Sequence, residues 1–518
     1  MKKKMFSMLT GILLSVSLVA CGNATGDTNN QTSEGAVVQT ESAGELSDGT
    51  VQTTKGLIHG NEKDGIYSYL GVQYAEAKER FVPATEVAAW EGVKEADSYG
   101  KISYQGTVVG MRGSNGADND NNVQNLNIWT PGVNDGEKRP VMVWLHGGGF
   151  STGSANESQY NGANLSKSGD VVVVGVNHRL NAFGHLDLSA YDEKYQYSAN
   201  VGIMDIQMAL EWIQENIEVF GGDSENVTLF GQSGGGAKIL SMMTSPYAKG
   251  LFDKAIVQSG ATEIMGVSFS NKEISQRVGE LTLKNLGIGK DNLEEIQNVS
   301  YQKILDASDK AREQTGEEYG IYLALSTDYG IEWGPVVEGD YMPTNPVTEE
   351  GFAEAGKDIP LLIGSNFTEW THWMPVSAHN NLTQEQIAAF EKAYPNRPSS
   401  DAAYVDTFIR QPMLKIMSHK ADQGGANVYA YVLNYGDDPY HGAEIPYVFH
   451  NANGEIADQM SSAWVNFARN GVPSAEGMPE WEAYTRENGA TMIIDTKSEL
   501  KNHHDQELMK LLEPDYEY

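Results

Sequence analysis

Cysteine is all but missing from this chain: Cys21 is the single one in 518 residues. One thiol cannot close an intramolecular disulfide, so the fold has to rest on its core. Basic charge is scarce too. Lys and Arg number 36 against 70 Asp and Glu, for a net charge of −34. A surface of that sign repels a phosphate backbone, so no nucleic-acid partner is expected. The acidity reads as solvated surface. No period of roughly 20 to 50 residues recurs, which sets aside repeat architectures. The length could hold two or three average domains, but alternating α/β chains of this size often form one body with insertions.

The N-terminal segment is distinct. Lys2, Lys3 and Lys4 precede an apolar run from Met5 to Ala20. The run is too short and too serine-rich for a spanning helix and reads as a targeting segment. It ends Leu18-Val19-Ala20-Cys21-Gly22, which resembles a bacterial lipoprotein signal. That resemblance implies removal of residues 1–20 and lipidation of Cys21 with palmitate-type chains. The lipid would anchor the protein to a bacterial membrane surface outside the cytoplasm. An ordinary secretory signal or an uncleaved anchor is the alternative. Residues 21–50 are small and polar, cannot bury enough surface to fold, and are expected to form a flexible tether. One folded body is expected over residues 51–518.

Within that body, Gly231-Gln232-Ser233-Gly234-Gly235 follows the apolar stretch Val227-Thr228-Leu229-Phe230. A Gly-x-Ser-x-Gly between a strand and a helix lifts a serine oxygen out of a sharp, strained turn. The helix is expected to begin at the glycines and continue through Ile239-Leu240-Ser241-Met242-Met243. With so many glycines the pattern arises by chance roughly 0.4 times per chain, so its context decides. Alone it would equally suit a glycine-rich turn at a packed strand end.

The context is upstream and downstream. Val141-Met142-Val143-Trp144-Leu145 reads as a buried strand that runs into His146-Gly147-Gly148-Gly149. Residues without side chains let backbone N–H groups approach a developing oxyanion, so Gly148, Gly149 and the N–H of Gly234 are the candidate oxyanion donors. Glu369 follows a strand-like run from Pro360 to Asn366. His441 follows another, Val428 to Leu433. Nucleophile, acid and base then occur in the order Ser233, Glu369, His441, each just beyond a strand, where open α/β sheets collect functional groups. Eleven histidines are present, and position separates His441 from the rest. His178 and His185 precede the nucleophile, and His503 and His504 lie in a polar tail.

Two further stretches are legible. Ile203, Ile206, Leu210, Ile213 and Ile217 recur three and four apart, which predicts a core-facing helix over 201–220. Residues 271–324 are polar and helical in pattern. Glu444, close to His441, reads equally as support for the site or as a solvated turn residue.

Together these segments resemble the type-B carboxylesterases, the family that also holds cholinesterases and lipases. Leu70-Gly71-Val72-Gln73-Tyr74-Ala75, Leu126-Asn127-Ile128-Trp129-Thr130-Pro131, Phe220-Gly221-Gly222-Asp223, Gly364-x-Asn366-x-x-Glu369 and His441-Gly442-x-Glu444-Ile445-Pro446 carry the likeness. It covers roughly residues 50 to 515. The resemblance implies an α/β-hydrolase fold, a central mostly parallel sheet flanked by helices, with helical insertions over the pocket. It favours Glu369 as the acid over Asp437 and Asp438. It also implies ester hydrolysis through an acyl-enzyme, with no metal or organic cofactor and a small-molecule ester as the partner. A surface-anchored, non-catalytic binding module of the same fold and a long-chain lipase are the alternatives.

The departures from that pattern are specific. The family elbow usually reads Gly-Glu-Ser-Ala-Gly; here Gln232 and Gly234 replace the Glu and the Ala. Gln232 removes a carboxylate from beside the nucleophile, and Gly234 is expected to add flexibility. The cysteines of the family's early loop are absent, and Val123 stands where one would be. No Trp occurs between Lys101 and Leu126, so the cation-binding Trp of cholinesterases has no counterpart there. Neutral or anionic esters are therefore expected over choline esters.

Overall fold

The computed structural model describes residues 48–105, 119–374 and 377–518. Cys21, the targeting segment and residues 21–47 of the stretch read as a tether lie outside the described residues, as does 106–118 of the stretch without Trp. Eleven strands form the central sheet. In chain order they are β1 (Asn61–Lys63), β2 (Ile66–Gln73), β3 (Asn125–Thr130), β4 (Arg139–Leu145), β5 (Val172–Val176) and β6 (Gly222–Gln232). They continue as β7 (Lys254–Gln258), β8 (Leu361–Asn366), β9 (Val428–Leu433), β10 (Ala490–Ile494) and β11 (Glu499–Asn502).

Their spatial order is 11-10-9-8-7-6-4-5-3-2-1. From β5 through β10 the neighbours run parallel, and antiparallel strands close both ends. The parallel strands are short runs such as Val172-Val173-Val174-Gly175-Val176, buried throughout. Strands covered by helices on both faces need no polar alternation.

Helices clothe the two faces. On one lie α1 (Val201–Asn216) and α2 (Gly234–Thr244). Ile203, Ile206, Leu210, Ile213 and Ile217 are all fully buried, so the predicted stripe is core. The other face packs Trp144, Phe230, Phe449 and Trp464 together, with Trp464 supplied by a helix over Glu455–Asn470.

The segment 271–324 folds as two helices packed on each other, α3 (Lys272–Leu286) and α4 (Tyr301–Tyr319). Asn271 caps the first by accepting from Ile274 N–H at 2.9 Å. These helices put no side chain on the wall of the cavity beside Ser233; Met265 before them and Glu332 and Trp333 after them do.

Register positions the site. Leu145 pairs with Gly231, Gln232 with Gln258, and Gln258 with Gly364. The parallel strands β4, β6, β7, β8 and β9 thus end at one edge, and the residues just past those ends gather there.

Candidate active site

Ser233 sits in the turn between β6 and α2 with φ 57° and ψ −130°, a positive φ that residues with side chains rarely hold. Its N–H donates to the Gln258 carbonyl at 2.9 Å and ties the turn to the end of β7. Its neighbours are glycine for want of room. A Cβ on Gly231 would lie 2.7 Å from the Leu145 carbonyl oxygen, and one on Gly235 only 1.9 Å from the same atom.

Gly234 is short of room as well. A methyl group there would fall 2.2 Å from the Gly149 carbonyl oxygen and 2.4 Å from the Gly149 Cα. The elbow and the glycine loop after β4 meet backbone to backbone. Space dictates the residue. In that loop Gly148 and Gly149 hold φ of 91° and 59°. Among the described residues, no group accepts a hydrogen bond from the N–H of either one.

Glu369 and His441 are brought together from loops beyond β8 and β9. His441 Nδ1 lies 2.5 Å from Glu369 Oε2. The main chains join as well, His441 N–H donating to the Glu369 carbonyl at 2.9 Å. Glu369 Oε1 accepts from Ser259 Oγ and from Asn366 N–H, both at 2.6 Å. Three hydrogen bonds thus hold this fully buried carboxylate, two on Oε1 and one on Oε2, which fixes its orientation and that of the imidazole. His441 Nε2, the ring nitrogen that a serine proton would reach, is buried with no hydrogen-bond partner among the described residues. Asp438 is occupied elsewhere: His372 Nδ1 lies 2.7 Å from its Oδ1, and Thr368 Oγ1 donates to the same atom at 2.7 Å.

Glu444 is fully buried, so it is not a solvated turn residue. Its Oε1 accepts from Gln258 Nε2 at 3.2 Å and its Oε2 from Asn366 Nδ2 at 2.6 Å. Asn366 donates to the Tyr440 carbonyl with the same amide. Glu444 therefore braces the strand ends that carry the acid and the base. Burial, reinforced by the Glu369 carboxylate, pushes the Glu444 pKa up. Asp406, which caps a helix by accepting from Ile409 and Arg410 N–H, is raised for the same two reasons, burial first.

Ser233, His441, Gly148 and Gly149 line one open cavity of 540 Å³. Its walls are aromatic: Phe150, Tyr160, Trp333, Trp370, Trp373 and Tyr440. The Trp370 ring lies 3.9 Å from the His441 ring, centroid to centroid, and Trp373 at the rim is 59% exposed. Glu157 and Glu332 also line the cavity. Glu332 faces Arg312 at 3.7 Å and accepts from Ala324 N–H.

Three contributors are absent from the sequence reading. Ser259 follows β7 in Gln258-Ser259-Gly260, and its place past a strand end was the available signal. Trp370 adjoins the acid. Lys238 lies within α2, and nothing in the sequence marks it.

The geometry has parallels in known proteins. A model of the carboxylesterase family matches residues 47–398 and 391–511, and the chain belongs to that family. It is 32% identical to the para-nitrobenzyl esterase of Bacillus subtilis over 90% of this chain and 98% of that protein. It is 27% identical to the phenmedipham hydrolase of Pseudarthrobacter oxydans, over 85% of this chain and 94% of that one. Among solved structures, an esterase from Clostridium hathewayi that can hydrolyze aliphatic aromatic polyesters superposes with a TM-score of 0.79. It shares 33% identity over 90% of this chain and 98% of its own. The fold is that of the α/β-hydrolases, and the protein is a carboxylic ester hydrolase.

Proposed function

We propose that Ser233 is the nucleophile, His441 the general base and Glu369 the acid of this esterase. The observation that carries the reading is the pairing of His441 Nδ1 with a buried Glu369, itself held by Ser259 and Asn366, beside the cavity that Ser233 lines. His441 takes the Ser233 proton through Nε2 as Oγ attacks the ester carbonyl. Glu369 keeps the Nδ1 proton in place and stabilises the imidazolium that forms. The N–H groups of Gly148, Gly149 and Gly234 receive the oxyanion. The imidazolium returns its proton to the leaving alcohol, and water repeats the sequence on the acyl-enzyme.

The chemistry uses side chains and backbone alone. Ser233→Ala is expected to lower kcat on a nitrophenyl ester on the order of 10⁴-fold or more while the protein stays folded. Retention of most activity in a preparation free of other esterases would sink the reading.

The aromatic walls suit neutral esters that carry an aromatic group, since stacked rings add about 0.5–1.5 kcal/mol beyond area burial. The polyester activity of the Clostridium hathewayi relative supports the same class. Glu157 and Glu332 on the wall weigh against anionic esters, which narrows the expectation drawn from sequence to neutral ones. A series of nitrophenyl esters of increasing acyl length separates a short-chain esterase from a lipase. A choline ester favoured roughly tenfold, about 1.4 kcal/mol, over its neutral isostere would overturn the neutral preference.

The N-terminal reading extends the proposal. Cys21 carries lipid and tethers the catalytic body to a membrane surface outside the cytoplasm; more than one acyl chain makes such an anchor stable. Among the described residues no helix is long and apolar enough to cross a membrane. Cys21→Ser is expected to abolish incorporation of labelled palmitate, and unchanged labelling would refute the assignment.

A further inference from the structure

A lysine is buried under the glycine loop. Lys238 occupies the second turn of α2 and has no solvent exposure. Its Nζ donates to the main-chain carbonyl of His146 at 2.8 Å. The same nitrogen sits 5.8 Å from the centroid of the Phe150 ring. His146 and Phe150 are the residues immediately before and after Gly147-Gly148-Gly149. Among the described residues, no carboxylate pairs with this lysine, and burial pushes its pKa down to about 7.

A buried ammonium without a counter-ion is costly, and hydrophobic replacement of such groups often leaves a protein equally or more stable. Among the other buried cations, Lys420 also donates only to main-chain carbonyls, those of Gly356 and Lys357, outside the glycine loop, whereas the two arginines meet carboxylates. Arg179 meets Asp205 through two bonds of 2.7 and 2.8 Å, and Arg410 meets Asp505 at 2.9 and 3.0 Å. Lys238 has no carboxylate among the described residues, and its hydrogen bond goes to the carbonyl that opens the glycine loop.

Geometry says what the loop gains. The nucleophile and two of the proposed oxyanion donors belong to different elements, the β6–α2 turn and the loop after β4. Two contacts lock them together. One is the close approach of Gly234 and Gly235 to the Gly149 and Leu145 main chain. The other is Lys238, reaching from one turn further along α2 to the loop's first carbonyl. Both protonation states of the amine keep N–H groups to donate.

We propose that Lys238 is a positioning residue for the oxyanion hole: it clasps the His146 carbonyl and holds the Gly148 and Gly149 N–H groups at the height of Ser233. This rests on the reading of Ser233 as nucleophile. Its effect falls on the transition state, because the oxyanion exists only there, and leaves ground-state binding of the ester almost untouched. Removing one oxyanion donor outright costs about 10²–10³-fold in kcat. Loosening the loop is a smaller change, so a loss of roughly 10- to 100-fold is expected.

The test compares Lys238→Met with wild type at pH 7 by three measurements. One is kcat and KM on a nitrophenyl ester. The second is Ki for a trifluoromethyl ketone, which forms a hemiketal on the serine and places its oxygen in the hole. The third is Tm. The proposal expects kcat to fall 10- to 100-fold, KM to stay within about threefold and Ki to rise with the loss in kcat. It also expects Tm to be equal or higher, a combination that a purely structural lysine would not produce. A kcat within threefold of wild type, or a rise in KM at constant kcat, overturns it. Lys238→Gln takes the place of the Met variant if that one does not fold, with the same expectation. Failure of both to fold assigns Lys238 to the fold and also overturns the proposal. Ser233→Ala run alongside separates the two readings. An active Ser233→Ala sinks the site as a whole, whereas an inactive one beside an unimpaired Lys238→Met sinks the clasp alone.

Discussion

On the side of Ser233 where β7, β8 and β9 end, the buried ionisable groups are mostly acids: Glu369, Asp406 and Glu444. On the side where β4 and β5 end they are mostly bases: Lys238, His146, His178 and His185. The acids Glu369 and Glu444 are well supplied with hydrogen bonds. Glu369 is held by Ser259, Asn366 and His441, and Glu444 by two side-chain amides. The bases are under-supplied. His178 Nε2 and His185 Nε2 have no partner among the described residues, and Lys238 has one carbonyl.

The difference follows what each side must hold. On the proposed mechanism an imidazolium and an oxyanion appear together when Ser233 attacks. The imidazolium forms beside fixed acceptors and the oxyanion beside fixed donors, so charge separation runs along a field that is already present. Burial keeps that field from becoming ruinous. It raises Glu444 and Asp406 toward their neutral forms, and it lowers His146 and His178 well below the usual imidazole range, with the Lys238 charge acting in the same direction.

The sharpest way to break the acid side is Glu369→Gln against Asp438→Asn. The Gln variant loses the orienting charge on His441 and is expected to lose on the order of 10³–10⁴ in kcat. Asp438 serves His372 and Thr368, so its Asn variant should stay within about tenfold of wild type. A ranking in the opposite order would move the acid to Asp438.

On the basic side, Gly234→Ala is the next largest. Its methyl group drives into the Gly149 carbonyl, so either the elbow or the loop must shift. A kcat lower by roughly 10- to 100-fold is expected, the cost of displaced oxyanion donors. Wild-type turnover in the Ala variant would show that the loop gives way freely.

A further effect is on stability. Lys238 has its folded pKa lowered to about 7 from an unfolded value of 10.5. Between those values the unfolded chain binds the extra proton, so this group's cost is full below pH 7 and fades as pH rises toward 10.5. Urea unfolding of wild type and Lys238→Met should therefore converge with pH, by at most about 1.4 kcal/mol per unit between pH 7 and 9.5. A gap that ignores pH would show that the buried lysine carries no such penalty.

Much of this site is written locally. The elbow, the glycine loop and the two residues past strand ends each announce themselves within ten residues, because strained turns and bare backbone demand glycine. The stripe of Ile203, Ile206, Leu210, Ile213 and Ile217 is local for the same reason: its period is that of one helix. What escaped is set by register between distant segments. Ser259 meets an acid 110 positions away, and Glu444 is braced by Gln258, 186 positions away. Lys238 is the hardest, because a lysine in a helix ordinarily marks a wet face. Every residue of α2 is buried, which no pattern inside α2 declares. Gly234 was legible as a departure, but its cause needs the Gly149 backbone beside it.

The backbone of Ser233 has a consequence for how such a chain tolerates change. A residue with a side chain held at φ 57°, ψ −130° stores on the order of 1–3 kcal/mol that glycine would not. Ser233→Gly is thus a substitution that thermal selection would reward and turnover would punish. A library screened for heat resistance alone should drift toward inert proteins at this one position, and a lineage that stopped needing the reaction would have a downhill path to losing it.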